Sequence, residues 1–307
     1  MKFSMHMPLN VIAPKGEFQS QEATVRIATS LERAGVTCGH VSDHPIPSAD
    51  WLHNDPTGHD AVDPFTCLAF VAAATKKLMV MSSVLIVPYR NPFLTAKAAA
   101  TLQTLSNGRF ILGAGTGYQE IEFEALGVPF HERGAIMDEA LETIRLTWAG
   151  GAVIKRGRRF NAAGNEARPI PSPPPPIWVG GASPKAIERA ARWADGWTPF
   201  FTAATNVKLV RESSIDSVER LATTIKRIEQ MRAQMQKTSP FDHCINFPYP
   251  VKTFNRTEAE QFCEKTDELA AAGVTWLRVK PPNPSMAGYL DYVTWFGEEV
   301  MPHYAES

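Results

Sequence analysis

The chain has few cysteines, no long apolar run and no large excess of either charge. Its four cysteines lie far apart and form no CxxC pair, which argues against a zinc or iron–sulfur site and against a disulfide framework. No run approaches the roughly 20 apolar residues of a membrane-spanning helix. The net charge of -1 favours neither nucleic acid nor an anionic membrane as a partner. We therefore expect reduced thiols, no metal and a cytoplasmic protein.

The sequence instead contains a regular alternation of short apolar runs and amphipathic segments. The apolar runs predict strands at Lys2–Met7, Thr37–Ser42, Leu78–Leu85, Arg109–Gly113, Ile177–Val179, Gly196–Phe200, Asp242–Phe247 and Thr275–Val279. Helical spacing predicts helices at Ser20–Ala34, Pro64–Thr75, Phe93–Leu105, Arg133–Trp148, Pro184–Ala194, Val207–Met235, Thr257–Ala272 and Met286–Met301. Eight such repeats favour a (β/α)8 TIM barrel, an α/β fold, over an open doubly wound sheet.

One stretch interrupts the alternation. Residues 155–176 are basic, then rich in glycine and proline, and they end in the four consecutive prolines Pro173 to Pro176. Proline disfavours both a helix interior and a central strand. We predict an irregular excursion at about residues 150–176, within a single domain that spans residues 1–307.

Four small polar or glycine-rich clusters follow directly on predicted strands. They are Ser42-Asp43-His44, Ser82-Ser83-Val84, Gly113-Ala114-Gly115-Thr116-Gly117 and Gly180-Gly181-Ala182-Ser183. Strands that alternate with helices run parallel, so all four clusters emerge at the same end of the sheet. In a TIM barrel this end carries the active site. The order of these clusters along the sequence therefore predicts where the site lies, although it does not identify the reaction.

The pair Asp43 and His44 is placed for proton transfer, because imidazole titrates near neutrality. The alternative is a solvated histidine that hydrogen-bonds locally. His40 lies inside the predicted strand, and we interpret it as structural. Ser83 alone indicates no more than a hydroxyl at the end of a strand.

The two glycine clusters favour a phosphorylated ligand. The cluster Gly113–Gly117 matches neither GxGxxG nor a Walker loop, but its glycines would let a ligand approach the backbone, and Thr116 can donate a hydrogen bond. A tight turn is the alternative. In the second cluster Ser183 is a candidate N-cap before Pro184. A helix start binds phosphate, although capping alone would also explain the serine.

In combination these segments resemble the luciferase-like monooxygenase superfamily, and most closely its members that use the deazaflavin coenzyme F420. The resemblance covers most of residues 1–200. It is carried by Glu32–Gly35 leading to Val41–His44, Ser83-Val84 with Pro88, Asn91-Pro92 and Lys97, Leu105–Phe110, Gly113–Tyr118, Glu122–Gly127, Arg133-Gly134, and Gly180–Ser183 leading to Ala194–Trp197.

The resemblance implies a TIM barrel with excursions and assigns roles to individual residues. It implies that Asp43 and His44 lie near the redox ring, with His44 in proton transfer, and that a cis peptide at Ser83-Val84 forms a bulge behind the ring. It further implies that the cofactor's phosphate is held by residues of the two glycine clusters: Thr116, Gly117, Gly180, Gly181, Ala182 and Ser183.

The function that this resemblance implies is hydride transfer between F420 and a small organic substrate. An FMN-dependent monooxygenase is the alternative, since both cofactors share the phosphate site. A non-catalytic flavin-binding protein and a nicotinamide dehydrogenase rank lower. Tyr118 and Ser48 stand where the family's sugar-phosphate dehydrogenases carry glutamate and tryptophan, so glucose 6-phosphate is not the implied substrate. The resemblance and the apolar helix faces predict a homodimer.

Overall fold

The strands form a closed barrel and two short accessory sheets. The structure is a computed structural model that describes residues 1–9, 16–54, 59–201, 214–282 and 285–305. The strands are Lys2–His6 (β1), Cys38–Val41 (β2), Met79–Ile86 (β3), Phe110–Gly115 (β4), Val153–Arg156 (β5), Asn161–Asn165 (β6), Ile177–Gly180 (β7), Gly196–Thr198 (β8), Phe200–Phe201 (β9), Ser214–Ile215 (β10), Asp242–Asn246 (β11) and Trp276–Val279 (β12). Eight of them close in the order β1-β12-β11-β8-β7-β4-β3-β2. Every adjacent pair in the barrel is parallel, which confirms the predicted (β/α)8 fold.

Helices connect the strands, and most begin at a polar capping residue. They are Gln21–Arg33 (α1), Ala49–Asn54 (α2), Pro64–Ala74 (α3), Pro92–Leu105 (α4), Glu120–Ala125 (α5), Arg133–Trp148 (α6), Pro184–Trp193 (α7), Val218–Gln234 (α8), Arg256–Ala271 (α9) and Met286–Trp295 (α10). Side chains that accept a hydrogen bond from the first turn precede seven of them: Ser20, Asp63, Asn91, Ser183, Ser217, Asn255 and Ser285. Such caps satisfy N–H groups that the helix itself leaves unpaired.

The barrel interior is filled at one end by a compact apolar cluster. Its members come from separate strands: Cys38, Met81, Ile111, Trp178, Cys244 and Trp276. The rings of Trp178 and Trp276 meet edge to face, with centroids 5.1 Å apart. A Cβ on Gly196 would lie 2.4 Å from Trp178 Cδ1, so glycine makes room for that ring. This packing leaves the opposite end of the barrel, at the carboxyl ends of the strands, open for a site.

Two predicted elements have different limits in the structure. The fourth strand continues to Gly115, so Gly113 lies inside β4 and not in a loop. The predicted helix Val207–Met235 is interrupted at Ser214–Ile215, which pairs with Phe200–Phe201 as a short parallel sheet, and the helix that Ser217 caps spans Val218–Gln234. The start predicted at Val207 lies outside the described residues.

The excursion predicted at residues 150–176 contains a hairpin. Strands β5 and β6 pair antiparallel, and the proline-rich part that follows has cis peptides at Arg168-Pro169 and Ser172-Pro173. The segment is therefore more regular than its composition indicates. The assignment of residues 1–307 to one domain stays a prediction.

The expectations from composition concern membranes, thiols and metals. Within the described ranges, no helix combines the length and the apolar character needed to cross a membrane. All four cysteines are free thiols, and burial raises the pKa of Cys244 to about 12. In the part of the chain that the structure describes, no three His, Cys, Asp or Glu side chains are grouped as a metal site would require.

Candidate active site

A cavity of about 430 Å³ opens at the carboxyl ends of the barrel strands. It brings together nearly all of the predicted site residues: Asp43, His44, Ser83, Val84, Thr116, Gly117, Gly180, Gly181 and Ser183. Ala182 is the exception. Its side chain is 5% exposed and packs in the hydrophobic core, because it turns away from the cavity between two residues that face it.

His44 is held by a buried glutamate that the sequence did not indicate. Nδ1 of His44 lies 3.1 Å from Oε2 of Glu122, and both side chains are buried. The same carboxylate accepts hydrogen bonds from the hydroxyl of Tyr89 at 2.9 Å and from the backbone N–H of Ile46 at 3.2 Å. With Nδ1–H directed at Glu122, Nε2 is the ring nitrogen left to exchange a proton in the cavity.

Tyr89 and aromatic rings complete the surroundings of His44. Burial and the neighbouring Glu122 raise the pKa of Tyr89, so its hydroxyl stays protonated and donates. The His44 ring packs against Trp51, with centroids 4.8 Å apart, and approaches His59 at 4.9 Å and Tyr118 at 5.8 Å. These contacts fix the orientation of the imidazole.

The carboxylate of Asp43 accepts hydrogen bonds from a different set of donors. It accepts two hydrogen bonds from the Arg90 guanidinium, at 2.6 and 2.8 Å, and one from the backbone N–H of Ile86 at 2.8 Å. Asp43 is 2% exposed. Three donors on one buried carboxylate suit a positioning residue better than a proton carrier. We call Asp43, His44, Tyr89, Arg90 and Glu122 the His44 network.

The Ser83-Val84 peptide bond is cis, as the resemblance implies, and the pairing of β3 with β4 shifts between Ser82 and Leu85. The glycines of β4 accommodate this bulge. A Cβ on Gly113 would lie 2.1 Å from the carbonyl oxygen of Ser82, and one on Gly115 would lie 2.5 Å from Val84 Cγ2. Both glycines therefore make room for the neighbouring strand, and Gly115 also borders the cavity. The expectation that this cluster lets a ligand approach the backbone stays a prediction.

The start of helix α7 forms another wall of the cavity. Gly181 has a φ of +92°, in the left-handed region that favours glycine. Ser183 caps the helix by accepting the N–H of Ala186 at 3.3 Å. The guanidinium of Arg133 also borders the cavity, and it lies 3.9 Å over the Phe130 ring. We call Thr116, Gly117, Arg133, Gly180, Gly181 and Ser183 the glycine wall; a helix start beside a cation suits an anionic ligand.

A further side of the cavity consists of basic residues from β1, β2 and the end of β12. We call His6, His40, Arg278 and Lys280 the Arg278 wall. Nη1 of Arg278 donates to Ser83 Oγ at 2.9 Å, and Nη2 donates to the carbonyl of Pro199 at 2.8 Å. His40 Nδ1 lies 2.8 Å from Ser4 Oγ, and His40 also borders the cavity; its structural interpretation stays a prediction.

The residues that sequence reasoning missed each carried a weak signal. Glu122 lies in a segment that carries the resemblance, but its helix exposes Ile121 and buries Glu122, the reverse of an amphipathic pattern. Arg278 interrupts the apolar strand Trp276–Val279. An arginine at a buried strand position is unusual and is the signal that could have identified it.

Sequence comparison decides the family. Residues 1–248 match the family described as luciferase-like monooxygenase. The chain belongs to this family. It is 31% identical over 246 residues to an uncharacterised protein of Mycobacterium tuberculosis (strain ATCC 25618 / H37Rv), covering 80% of this chain and 77% of the relative. It is 30% identical to an F420-dependent glucose-6-phosphate dehydrogenase of Amycolatopsis mediterranei (strain U-32), covering 91% and 93%. The chain is thus an oxidoreductase of the luciferase-like family.

Solved structures share the fold along nearly the whole chain. Monooxygenase RslO1 from Streptomyces bottropensis superposes with a TM-score of 0.78 at 20% identity, covering 99% of this chain and 100% of the other. An F420-dependent secondary alcohol dehydrogenase in complex with an F420-acetone adduct gives 0.76 at 17%. The oxygenating constituent of 3,6-diketocamphane monooxygenase from the CAM plasmid of Pseudomonas putida, in complex with FMN, gives 0.73 at 15%. The latter two each cover 98% of both chains. At these identities the likeness concerns the fold alone.

Proposed function

We propose that the protein is an F420-dependent oxidoreductase that transfers a hydride between the deazaflavin and a small organic substrate. The observation that carries the proposal is His44, fixed by Glu122 at 3.1 Å, in the cavity that also contains the Ser83-Val84 bulge and the glycine wall. The relatives that are named for F420 support the choice of cofactor.

The residues present fit a phosphorylated, planar cofactor. Gly181 keeps the backbone open at the start of α7, and Arg133 adds a cation beside it, so the glycine wall would hold the phosphate. Ser83 and Val84 would support the ring. A cavity of about 430 Å³ lies within the usual range of about 300–1,000 Å³ for cofactor sites.

The chain's own residues manage the proton and the geometry. When bound, the deazaflavin supplies or accepts the hydride. His44 would exchange a proton with the substrate oxygen through Nε2, because Nδ1 is engaged by Glu122. Asp43, held by Arg90, keeps the strand end in place beside His44. The aromatic rings around His44 hold the imidazole in its orientation.

An FMN-dependent monooxygenase is the second candidate, because the fold also occurs in an FMN-bound monooxygenase. That likeness is at 15% identity, whereas a relative named for F420 is 30% identical over most of both chains. The balance therefore favours F420. The glycine wall fits the phosphate of either cofactor.

Titration of the purified protein with F420 and with FMN, followed by fluorescence, tests the proposal. We expect F420 to bind with a Kd of about 10 µM or tighter and FMN at least about tenfold more weakly. No F420 binding at tens of micromolar would remove the proposal. Tighter binding of FMN, with oxygen consumed in proportion to substrate, would establish the second candidate.

Gly181→Val probes the glycine wall directly. Its left-handed φ is unfavourable for valine, and the side chain would enter the phosphate site. We expect F420 affinity to fall about 30-fold or more. Gly164→Val is the matched control, since Gly164 has a φ of +100° but no atom within 4 Å of the position that a Cβ would take, and it lies in β6. Equal losses in both variants would contradict a phosphate site at Gly181.

We also propose a homodimer. Large apolar side chains remain exposed on α3 and α4: Phe70 is 52% exposed, Leu94 70% and Leu105 71%. Light scattering of the purified protein checks this, with a mass near twice the 33.8 kDa of one chain expected.

A further inference from the structure

Arg278 is a buried cation whose hydrogen bonds are incomplete. It is 6% exposed, and of the five N–H groups of a guanidinium two donate to oxygen atoms, Ser83 Oγ and the Pro199 carbonyl. Its Nε is buried and has no hydrogen-bond partner among the described residues. Neither acceptor carries a charge, so these bonds orient the guanidinium without neutralising it.

The described groups that surround Arg278 add no negative charge. Across the described ranges no carboxylate forms an ion pair with Arg278 or Lys280 within 4.0 Å. The adjacent Cys244 thiol is protonated, because burial raises its pKa to about 12. Burial also lowers the pKa of His6 to about 3 and lowers the pKa of His40, which keeps both rings neutral. Phe200 offers only the face of its ring, 5.4 Å away.

The two carboxylates of the His44 network are engaged by other partners. Asp43 is paired with Arg90 at 2.6 Å, and Glu122 accepts from His44 and Tyr89. The Arg278 wall is therefore net positive where it borders the cavity. Leaving a buried guanidinium without a counter-ion is unfavourable, and an anionic ligand group would offset this cost.

The Arg278 wall is distinct from the glycine wall. In the barrel order β12 stands four positions from β4 and three from β7, the strands that end at the glycine wall. The two walls therefore face the cavity from different strands of the barrel. Because the cofactor's phosphate is expected at α7, the Arg278 wall is available to a second anionic group in the same cavity.

We propose that Arg278 and Lys280 form the subsite for a carboxylate on the substrate, so that the enzyme acts on small organic acids. Arg278 would bind the carboxylate at the base of the cavity, and Lys280, which is exposed at the rim, would attract it. Guanidinium and carboxylate match in geometry and charge. The inference rests on the proposed function for the reaction, but the binding of the anion does not depend on F420.

Binding of benzoate and of its neutral analogue benzamide, measured by ligand-observed NMR at low salt, tests the subsite in the full-length protein with and without F420. We expect benzoate to bind at least about tenfold more tightly than benzamide. Arg278→Gln should abolish this preference, Arg278→Lys should restore part of it, and Lys280→Gln should reduce it about two- to fivefold. Lys226→Gln, which removes an exposed charge on the outer helix α8, should leave it unchanged.

The same variants separate this inference from the proposed function. We expect F420 affinity to stay within about threefold of wild type in Arg278→Gln. Equal binding of benzoate and benzamide to wild type, or a preference that survives Arg278→Gln, would overturn the subsite. Loss of F420 binding in both Arg278 variants would also overturn it, by assigning the guanidinium to the cofactor or the fold. If the protein prefers benzoate but binds no F420, the carboxylate subsite stands and only the assignment of F420 as the cofactor is rejected.

Discussion

The His44 network and the Arg278 wall border the same cavity but differ in how their charges are paired. In the network, Asp43 and Arg90 form a bidentate pair, and Glu122 has three donors. In the wall, the hydrogen-bond partners of Arg278 among the described residues are neutral. The first region is complete without a ligand, whereas the second has no counter-ion within the part of the chain that the structure describes.

This difference indicates which region handles the proton and which recognises the charge of the substrate. A group whose hydrogen bonds are satisfied within the protein is held in one orientation, as proton transfer at a defined atom requires. A cation without a protein counter-ion is available to bind an anion. We therefore assign proton handling to His44 and recognition of substrate charge to Arg278, and the following variants test this assignment.

The largest effect is expected for His44→Asn, which removes the nitrogen that exchanges the proton. With a substrate that the wild type turns over, kcat/KM should fall about 10²- to 10⁴-fold, while F420 affinity stays within about threefold. His6→Asn, in the Arg278 wall, should lower kcat/KM less than about tenfold. Similar losses in the two variants would contradict the distinction between the two regions.

The next largest effect is expected on the stability of the Arg90→Met variant. This change leaves the Asp43 carboxylate buried without its counter-ion, so the free energy of unfolding should fall by about 3–5 kcal/mol. Denaturant unfolding measures it. Arg256→Met, which breaks an exposed i,i+4 pair with Glu260, should cost about 0.5 kcal/mol or less. A loss in Arg90→Met no greater than in this control would show that the Asp43 pair is unimportant for stability.

The smallest effect, counted per pH unit, is the dependence of stability on pH. Burial, with smaller contributions from Lys280 and His59, lowers the pKa of His6 to about 3 from 6.5. Between these values the unfolded chain binds a proton that the folded chain does not, so stability falls as pH decreases from 6.5 towards 3. The group contributes a slope of up to about 1.4 kcal/mol per pH unit.

Unfolding midpoints measured from about pH 7 to about pH 4 check this slope. His6→Asn should flatten the dependence, and His303→Asn, at an exposed position, should leave it as in wild type. An unchanged slope in His6→Asn would mean that His6 is already protonated in the folded protein.

The sequence predicted the architecture and much of the cavity because both depend on local order along the chain. Alternating strands and helices brought Asp43, His44, Ser83 and Gly181 to one rim, as expected for parallel strands. The start of α7 was predicted from Ser183 and Pro184, which act within one helical turn.

The pairings across the cavity were not predictable from local patterns. Arg90 meets Asp43 across 47 residues, and Glu122 meets His44 across 78. The sequence also did not show that Gly113 and Gly115 of β4 make space for the Ser83-Val84 bulge of β3. Only the folded barrel shows which distant side chains these residues contact.

The most direct test of the account is a crystal structure of the protein with F420. We expect the phosphate at Gly180–Ser183 and Arg133, the ring against Ser83 and Val84 beside His44, and the guanidinium of Arg278 not bound to the cofactor's phosphate. A phosphate bound to Arg278, or a ring remote from His44, would contradict it.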